Sequence, residues 1–380
     1  MPLRGSRSSH RYRQTAHRLS SSRRRFLQLS TAALAGTALT NCARNLSTGG
    51  TSEQASGSDA DTLHVYTWSA YVDDDLVQRF EEETGIEVIF DIYDSNETML
   101  ARLQAGGGSQ YSVIYPSDYM VEIMMELDLL TPLESDRLPS TSDLFDQWQS
   151  PAYDPGNEFS YPYAWGTTGL IYNEAELGDV EDWDFLWDNQ SDLSRQMTLL
   201  NDVREVMGMS LKSLGYSNNS TDPDEIEEAY EKLVELRSDI NSFTTDGWRD
   251  QIVVGDLLIA HAYSVDAIDI IGENPDLQYV VPSSGATVWT DGVVIPSTAP
   301  NVEAAYAWLN YILEPETAAP ILSRLQFATP NKLAFDKMPE ALKSDVTLFP
   351  PDDVLANCEE LGDIGDAADL YDRYWTQLTS

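Results

Sequence analysis

Residues 63–115 alternate short apolar runs with helical patterns, and that order constrains the fold more than any other feature of the chain. Leu63, Val65 and Tyr66 form a strand-like run ending at Trp68. Leu76, Val77 and Phe80 follow at helical spacing, and Gly85 stops that helix. Residues 86–93 are again strand-like. Ser95 caps a helix with Met99, Leu100 and Leu103 on one face, ended by Gly106-Gly107-Gly108. A third strand over 112–115 leads into Pro116-Ser117. This β-α-β-α-β order predicts an open, mainly parallel α/β sheet. After a loop-rich crossing near Tyr161-Pro162-Tyr163, strands are expected at 169–172, 197–200, 257–262, 279–281 and 289–295. Helices are expected at 203–214, 223–237 and 301–313, the second opened by Asp222-Pro223. Two α/β sheets joined by more than one crossing fit this pattern.

The first 42 residues read as an address. They hold eight Arg and no acid, with Ser22-Arg23-Arg24-Arg25-Phe26-Leu27 resembling a twin-arginine export signal. The apolar run that follows is too short for a permanent membrane span. It ends at Leu39-Thr40-Asn41-Cys42, a lipobox-like run that makes Cys42 the expected lipidation site, although Asn41 replaces the usual small residue. Residues 43–61 are rich in Ser, Gly and Thr and read as a flexible linker. Cys42 and Cys358 are the sole cysteines, so an acylated Cys42 leaves Cys358 without a disulfide partner. The net charge is −40 over the whole sequence. Without the first 42 residues, 15 Lys and Arg face 63 Asp and Glu. So acidic a body excludes charge-driven binding to nucleic acid or to an anionic membrane face, and it attracts cations. The remaining length exceeds one comfortable core, which predicts two domains.

Several stretches place an aromatic residue next to an acid or hydroxyl: Trp68-Ser69-Ala70-Tyr71, Ser117-Asp118-Tyr119, Tyr263-Ser264-Val265-Asp266 and Trp289-Thr290-Asp291. The acid pair Asp202/Glu205 joins them. Aromatic faces attract cations and carboxylates bind ammonium groups, so convergence of these stretches would line a box for an organic polycation. Trp68, Ser117, Asp202 and Tyr263 each fall where a predicted strand ends, the place where open α/β sheets bind ligands. Asp291 leads into the apolar run Val293-Val294-Ile295, where an acid is expensive to bury unless a cation meets it. Each of these residues has a plainer reading: the aromatics as core, Asp202 and Glu205 as partners of Arg204, Asp266 as a solvated helix-start acid. Trp183, Trp187, Trp248, Trp308 and Trp375 read as packing residues. His64 and His261 stand outside any metal-ligand pattern, and no phosphate loop, nucleophile elbow or zinc motif is present, so no cofactor is expected.

The chain resembles the bacterial spermidine/putrescine-binding proteins of polyamine ABC transporters, from about residue 63 to 375. The carriers are V-Y-T-W-S-A-Y-V at 65–72, E-T-G-I-E-V-I-F at 83–90, Y-D-S-N-E-T-M at 93–99, Y-P-S-D-Y at 115–119 and Y-P-Y-A-W-G at 161–166. R-E-V at 204–206, L-G-Y-S-N-N-S-T-D-P at 214–223, W-T-D at 289–291 and T-P-N at 329–331 follow in order. The resemblance implies a two-lobed α/β fold of the periplasmic binding-protein type (type II), with the ligand clamped between lobes. One lobe is expected to comprise 62–166 plus 290–336, the other 167–289 plus 337–380. It implies that Trp68, Ser69, Tyr71, Ser117 and Tyr119 bind ligand from the first lobe, and Asp202, Glu205 and Tyr263 from the second. Trp289 and Asp291 match a pair that grips an amine. Tyr263 stands where the family usually has Trp, Phe327 replaces a Tyr, and Leu361 falls where a spermidine binder can have Gln. Asp266 matches an acid of putrescine-preferring members. The implied function is non-enzymatic: a monomeric exported protein that captures a polyamine and hands it to an ABC permease. A receptor for a quaternary ammonium compound and a secreted glycosidase are the competing readings.

Overall fold

The structure, a computed structural model, describes residues 61–71, 74–93 and 95–380. The expected export signal, Cys42 and most of the linker lie outside the described residues. The chain opens as read: β1 (Thr62–Trp68), α1 (Asp74–Thr84), β2 (Glu87–Tyr93), α2 (Asn96–Gln104), β3 (Val113–Ile114) and α3 (Asp118–Glu126). Leu76 and Phe80, four apart, bury one face of α1, and Gly85 follows at φ 74, a left-handed angle suited to glycine. The Ser95 side chain accepts the Thr98 N–H at the start of α2.

A long strand, β4 (Ser160–Asn173), comes next. The second half of the chain supplies β5 (Met197–Leu199), α4 (Val203–Ser213), α5 (Pro223–Leu236), β6 (Ile240–Phe243) and α6 (Arg249–Val253). These are followed by β7 (Ile259–Tyr263), α7 (Ser264–Ile271), β8 (Leu277–Val280), β9 (Val288–Val294), α8 (Val302–Leu313), α9 (Pro315–Leu325) and α10 (Ala368–Thr379). Asp222 caps α5, with Pro223 at its first position.

One hydrogen-bonded path, β2-β1-β3-β9-β4-β7-β5-β6, links all strands except β8, which pairs with β4. β1 pairs in parallel with β2 and β3, and β5 with β6 and β7. The remaining pairings are antiparallel and all involve β4 or β9. The sheet is therefore more mixed than the expected mainly parallel order. The reason lies in β4 and β9: residues 160–167 of β4 pair with β9, whereas 168–172 pair with β7 and 170–173 with β8. β4 runs against the parallel strands of the second half, where it pairs with β7, whereas in the first half the reversed strand is β9, which is antiparallel to both β3 and β4. The sequence reading placed a loop-rich crossing at Tyr161-Pro162-Tyr163; these residues are in β4. Pro162 is accommodated because the register shifts between Pro162 and Ala164, and proline is tolerated in a strand at such an irregularity.

Each half of the sheet is covered on both faces. Leu63 and Val65 face a core with Trp308 and Leu309, while Tyr66, next after Val65 in the alternation, faces Met99 and Tyr111. In the second half Leu170 and Tyr172 enter one core, and Ile171 another with Trp248. Trp183, Trp248 and Trp308 are fully buried packing residues. Met338, Leu342, Leu348 and Phe349 pack on the first core, and Cys358, Ile364, Tyr371 and Leu378 on the second. The stretch 337–380 thus divides between the two halves near 356. Among the described residues, no helix is long and apolar enough to cross a membrane, and no group of ligating side chains could hold a metal ion.

Candidate functional site

Parallel pairing puts the carboxyl ends of β1 and β3 on one side of the first sheet half, and those of β5 and β7 on one side of the second. Trp68 is the last residue of β1 and Tyr263 the last of β7; Ser117 caps α3 just past β3, and Asp202 caps α4 just past β5. Three helices therefore start at the site. Asp118, Glu205 and Asp266 occupy their first turns, where the helix dipole favours an acid.

Asp291 is the hub. It lies in β9, 7% exposed, and bridges to Ser117 across the strand edge. Tyr71 donates its hydroxyl to Oδ2 at 2.5 Å and Ser117 donates to Oδ1 at 2.6 Å. Burial pushes the carboxyl up to about 6, and the two hydroxyl bonds only partly counter this. The network extends outward: Asn96 Nδ2 donates to Ser117 Oγ and to the Tyr119 hydroxyl, each at 3.1 Å, and Tyr119 donates to Glu97 Oε1 at 2.9 Å.

The acids beyond β5, in the second half of the sheet, form a different arrangement. Asp202 Oδ1 accepts the N–H groups of Arg204 and Glu205 at 2.9 and 3.1 Å, which caps α4. Glu205 is buried and accepts the Thr168 hydroxyl at 3.1 Å. Burial first, and then the neighbouring Asp202 charge, drive the Glu205 carboxyl well above its ordinary range. Asp202 is raised too, by burial and by the charge of Glu97 opposite. The charges of Glu97 and Asp202 both bear on the Tyr119 hydroxyl, so acids from the two sheet halves face one another there. Arg204 turns its guanidinium to the Gly362 carbonyl and Asn219 Oδ1 and joins no ion pair with Asp202 or Glu205.

Five of the expected aromatic residues pack against other rings. Trp68 lies 4.5 Å from Tyr93 and donates its Nε1 to the Tyr115 carbonyl at 2.9 Å. Phe327 lies 4.6 Å from Tyr71, and Tyr263 meets Trp289 edge-on at 6.3 Å. Gly166 makes the last pair possible: a Cβ there would stand 2.3 Å from Trp289 Cζ2 and 2.6 Å from Ser264 Oγ.

Two expected residues sit apart. Ser69 is exposed and joins none of these bonds. Asp266 is buried and already ion-paired, with Arg249 Nη2 at 2.6 Å, although burial still raises it to about 6. Leu361 is buried. His261 is buried against Trp183, and burial lowers it to about 3, so it is a neutral packing residue. Sequence reasoning missed Asn96, Glu97 and Thr168. The first two lie inside the motif at 93–99, where their position directly after the helix cap was the available signal.

Comparison with known proteins places these features in a common setting. Residues 75–350 match the model of the bacterial extracellular solute-binding protein family. The chain is 32% identical over 326 residues to the spermidine/putrescine-binding periplasmic protein of Salmonella typhimurium, covering 85% of this chain and 93% of that one. It is 30% identical over 351 residues to a putrescine-binding periplasmic protein of Pseudomonas aeruginosa, covering 87% and 95%. The crystal structure of the spermidine/putrescine ABC transporter substrate-binding protein of Streptococcus pneumoniae matches with a TM-score of 0.74 at 34% identity, over 84% of this chain and 98% of that one.

Proposed function

The chain belongs to the bacterial extracellular solute-binding proteins, and from that premise we propose that it captures a protonated polyamine, spermidine or putrescine, between its lobes and delivers it to an ABC transporter permease. Asp291 carries this reading. A buried carboxylate held by two hydroxyls and no basic group is left short of positive charge, and a ligand ammonium supplies it. Asp202 and Glu205 hold the second ammonium, while Trp68, Tyr71, Tyr119, Tyr263, Trp289 and Phe327 lie along the methylene chain and its nitrogens. Asp266 acts from behind through Arg249, and Ser69 stands at the rim. One acid at Asp291 and a pair at Asp202 and Glu205 suit a ligand with at least two charges, which disfavours a singly charged quaternary ammonium compound. Capture makes and breaks no covalent bond, so no residue is assigned a catalytic role.

The packing supports lobes of 62–167 with 288–355 and of 168–287 with 358–380, β4 and β9 acting as connecting strands that let the lobes close on the ligand. Export by the N-terminal signal and anchoring through Cys42 would place the body outside the cytoplasmic membrane as a monomer. Titration calorimetry with putrescine, spermidine, spermine and choline tests the ligand class. Binding of polyamines without choline is the expected result; binding of choline alone would overturn the reading.

A further inference from the structure

Thr290 stands between Trp289 and Asp291, the two β9 residues proposed to bind ligand. Strand alternation turns Trp289 and Asp291 to one face of β9 and Thr290 to the other. Thr290 is fully buried there, and two of its polar groups are held. Its backbone N–H donates to Asp118 Oδ2 at 3.1 Å, and its hydroxyl accepts the Trp148 Nε1–H at 3.0 Å. Asp118 and Trp148 are buried as well. Both holders are themselves fixed. Asp118 Oδ1 accepts the Tyr119 N–H at 2.8 Å, at the start of α3. Trp148 packs on Trp165 with ring centroids 4.9 Å apart, and Asn157 Nδ2 donates to the Trp148 carbonyl at 3.1 Å. Trp165 lies opposite Thr290 in the β4–β9 pairing, and its Nε1 donates to the Thr329 carbonyl at 3.3 Å. Thr290 is thus fastened by a carboxylate, an indole and the facing strand.

This fastening matters because β9 is thinly held along its other edge. β3 pairs with it in register at a single position, Ile114 with Val294. Beside Asp291 that edge adds the Ser117–Asp291 bridge and the Gly292 N–H, which donates to the Pro116 carbonyl at 3.0 Å. Yet the Asp291 carboxylate has to meet two hydroxyls, at 2.5 and 2.6 Å, and a ligand ammonium as well. Hydrogen bonds weaken steeply with misalignment, and a binding group has to be held within about 0.5 Å of its productive place.

We propose that Thr290 is a positioning residue for polyamine capture. Held from behind β9 by Asp118 and Trp148, it fixes Asp291 where the ligand ammonium meets it, and it does not touch the ligand. The role rests on the polyamine reading above.

The test is spermidine titration calorimetry of the full chain, of Thr290→Val and Thr290→Ser, and of Thr290→Val made in an Asp291→Asn background. Valine keeps the shape and the N–H bond to Asp118 but leaves the buried Trp148 N–H unmet; serine keeps the hydroxyl. Thr290→Val should weaken binding about tenfold and Thr290→Ser less than about threefold. In the Asp291→Asn background the valine step should cost less than about twofold, because residues that act through one group are not additive. A packing role alone would give the same loss in both backgrounds. Trp148→Phe breaks the same bond from its donor side and takes the place of Thr290→Val in both backgrounds should that variant not fold. Full affinity in the variant, equal losses in both backgrounds, or a Thr290→Ser loss matching that of valine overturns the positioning role and leaves the polyamine reading standing. If the unaltered chain binds no spermidine, both fall.

Discussion

A buried carboxylate is tolerable when a proton or a cation meets it, and Asp291 is met by two hydroxyls alone. Removing one, in Tyr71→Phe, should weaken spermidine binding about three- to tenfold by calorimetry, because the acid loses a fixed partner while its charge remains. The sign of the pH dependence follows from the same burial. Asp291 titrates at about 6 in the fold against 3.8 when exposed, so the folded state holds its proton more tightly than the unfolded state. Ligand-free stability is therefore fullest below about pH 4 and falls as pH rises through about 6, by on the order of 3 kcal/mol from this group. Glu205 acts in the same direction. A bound ammonium favours the charged acid, so affinity should strengthen over that window with release of protons. Ligand-free melting temperatures at pH 5 and 7.5 check this: the decline should be smaller in Asp291→Asn than in the unaltered chain. Asp291 was legible because it interrupts an apolar run beside a tryptophan. Glu97 was not, since a helix-start acid looks like a solvated one until the opposing Asp202 is known. The Arg249 that neutralises Asp266 lies 17 positions away in sequence, beyond the reach of local pattern.

Among the elements, β4 decides the geometry. Most strands and helices were readable from caps, glycine stops and apolar spacing, as at Ser95, Gly85 and Asp222-Pro223. The strand at 160–173 was read as a crossing followed by a shorter strand, because Pro162 signals a break locally. Its pairing with β9 on one half and with β7 and β8 on the other is long-range information that no window of sequence contains. Gly166 sits near the change of partner. Gly166→Ala would drive a methyl into the Trp289 ring and Ser264, so strand or ring must shift. Spermidine affinity should drop at least tenfold, with about 1–3 kcal/mol of stability lost, read by calorimetry and thermal melting. Retained affinity would show that Trp289 is not a wall of the box. Ser95→Ala, which removes the α2 cap, should cost about 1 kcal/mol without altering ligand preference.

For the whole molecule, the excess of acids is both solvent-facing and functional. A body with 63 Asp and Glu surrounds the cleft with negative potential, which steers polycations and excludes nucleic acid. The association rate for spermidine should therefore fall steeply with added salt in stopped-flow experiments, whereas the dissociation rate changes little. The two-lobed type II periplasmic binding-protein fold supplies the closure, and the acids of the two lobes that face one another make an unliganded closed state costly. The central claim is that a ligand ammonium completes the charge of Asp291. Spermidine titration of Asp291→Asn beside the unaltered chain at pH 7.5 tests it most directly. The account predicts at least a hundredfold loss of affinity, about 3 kcal/mol, in a folded protein. Equal affinity in the two proteins would contradict it.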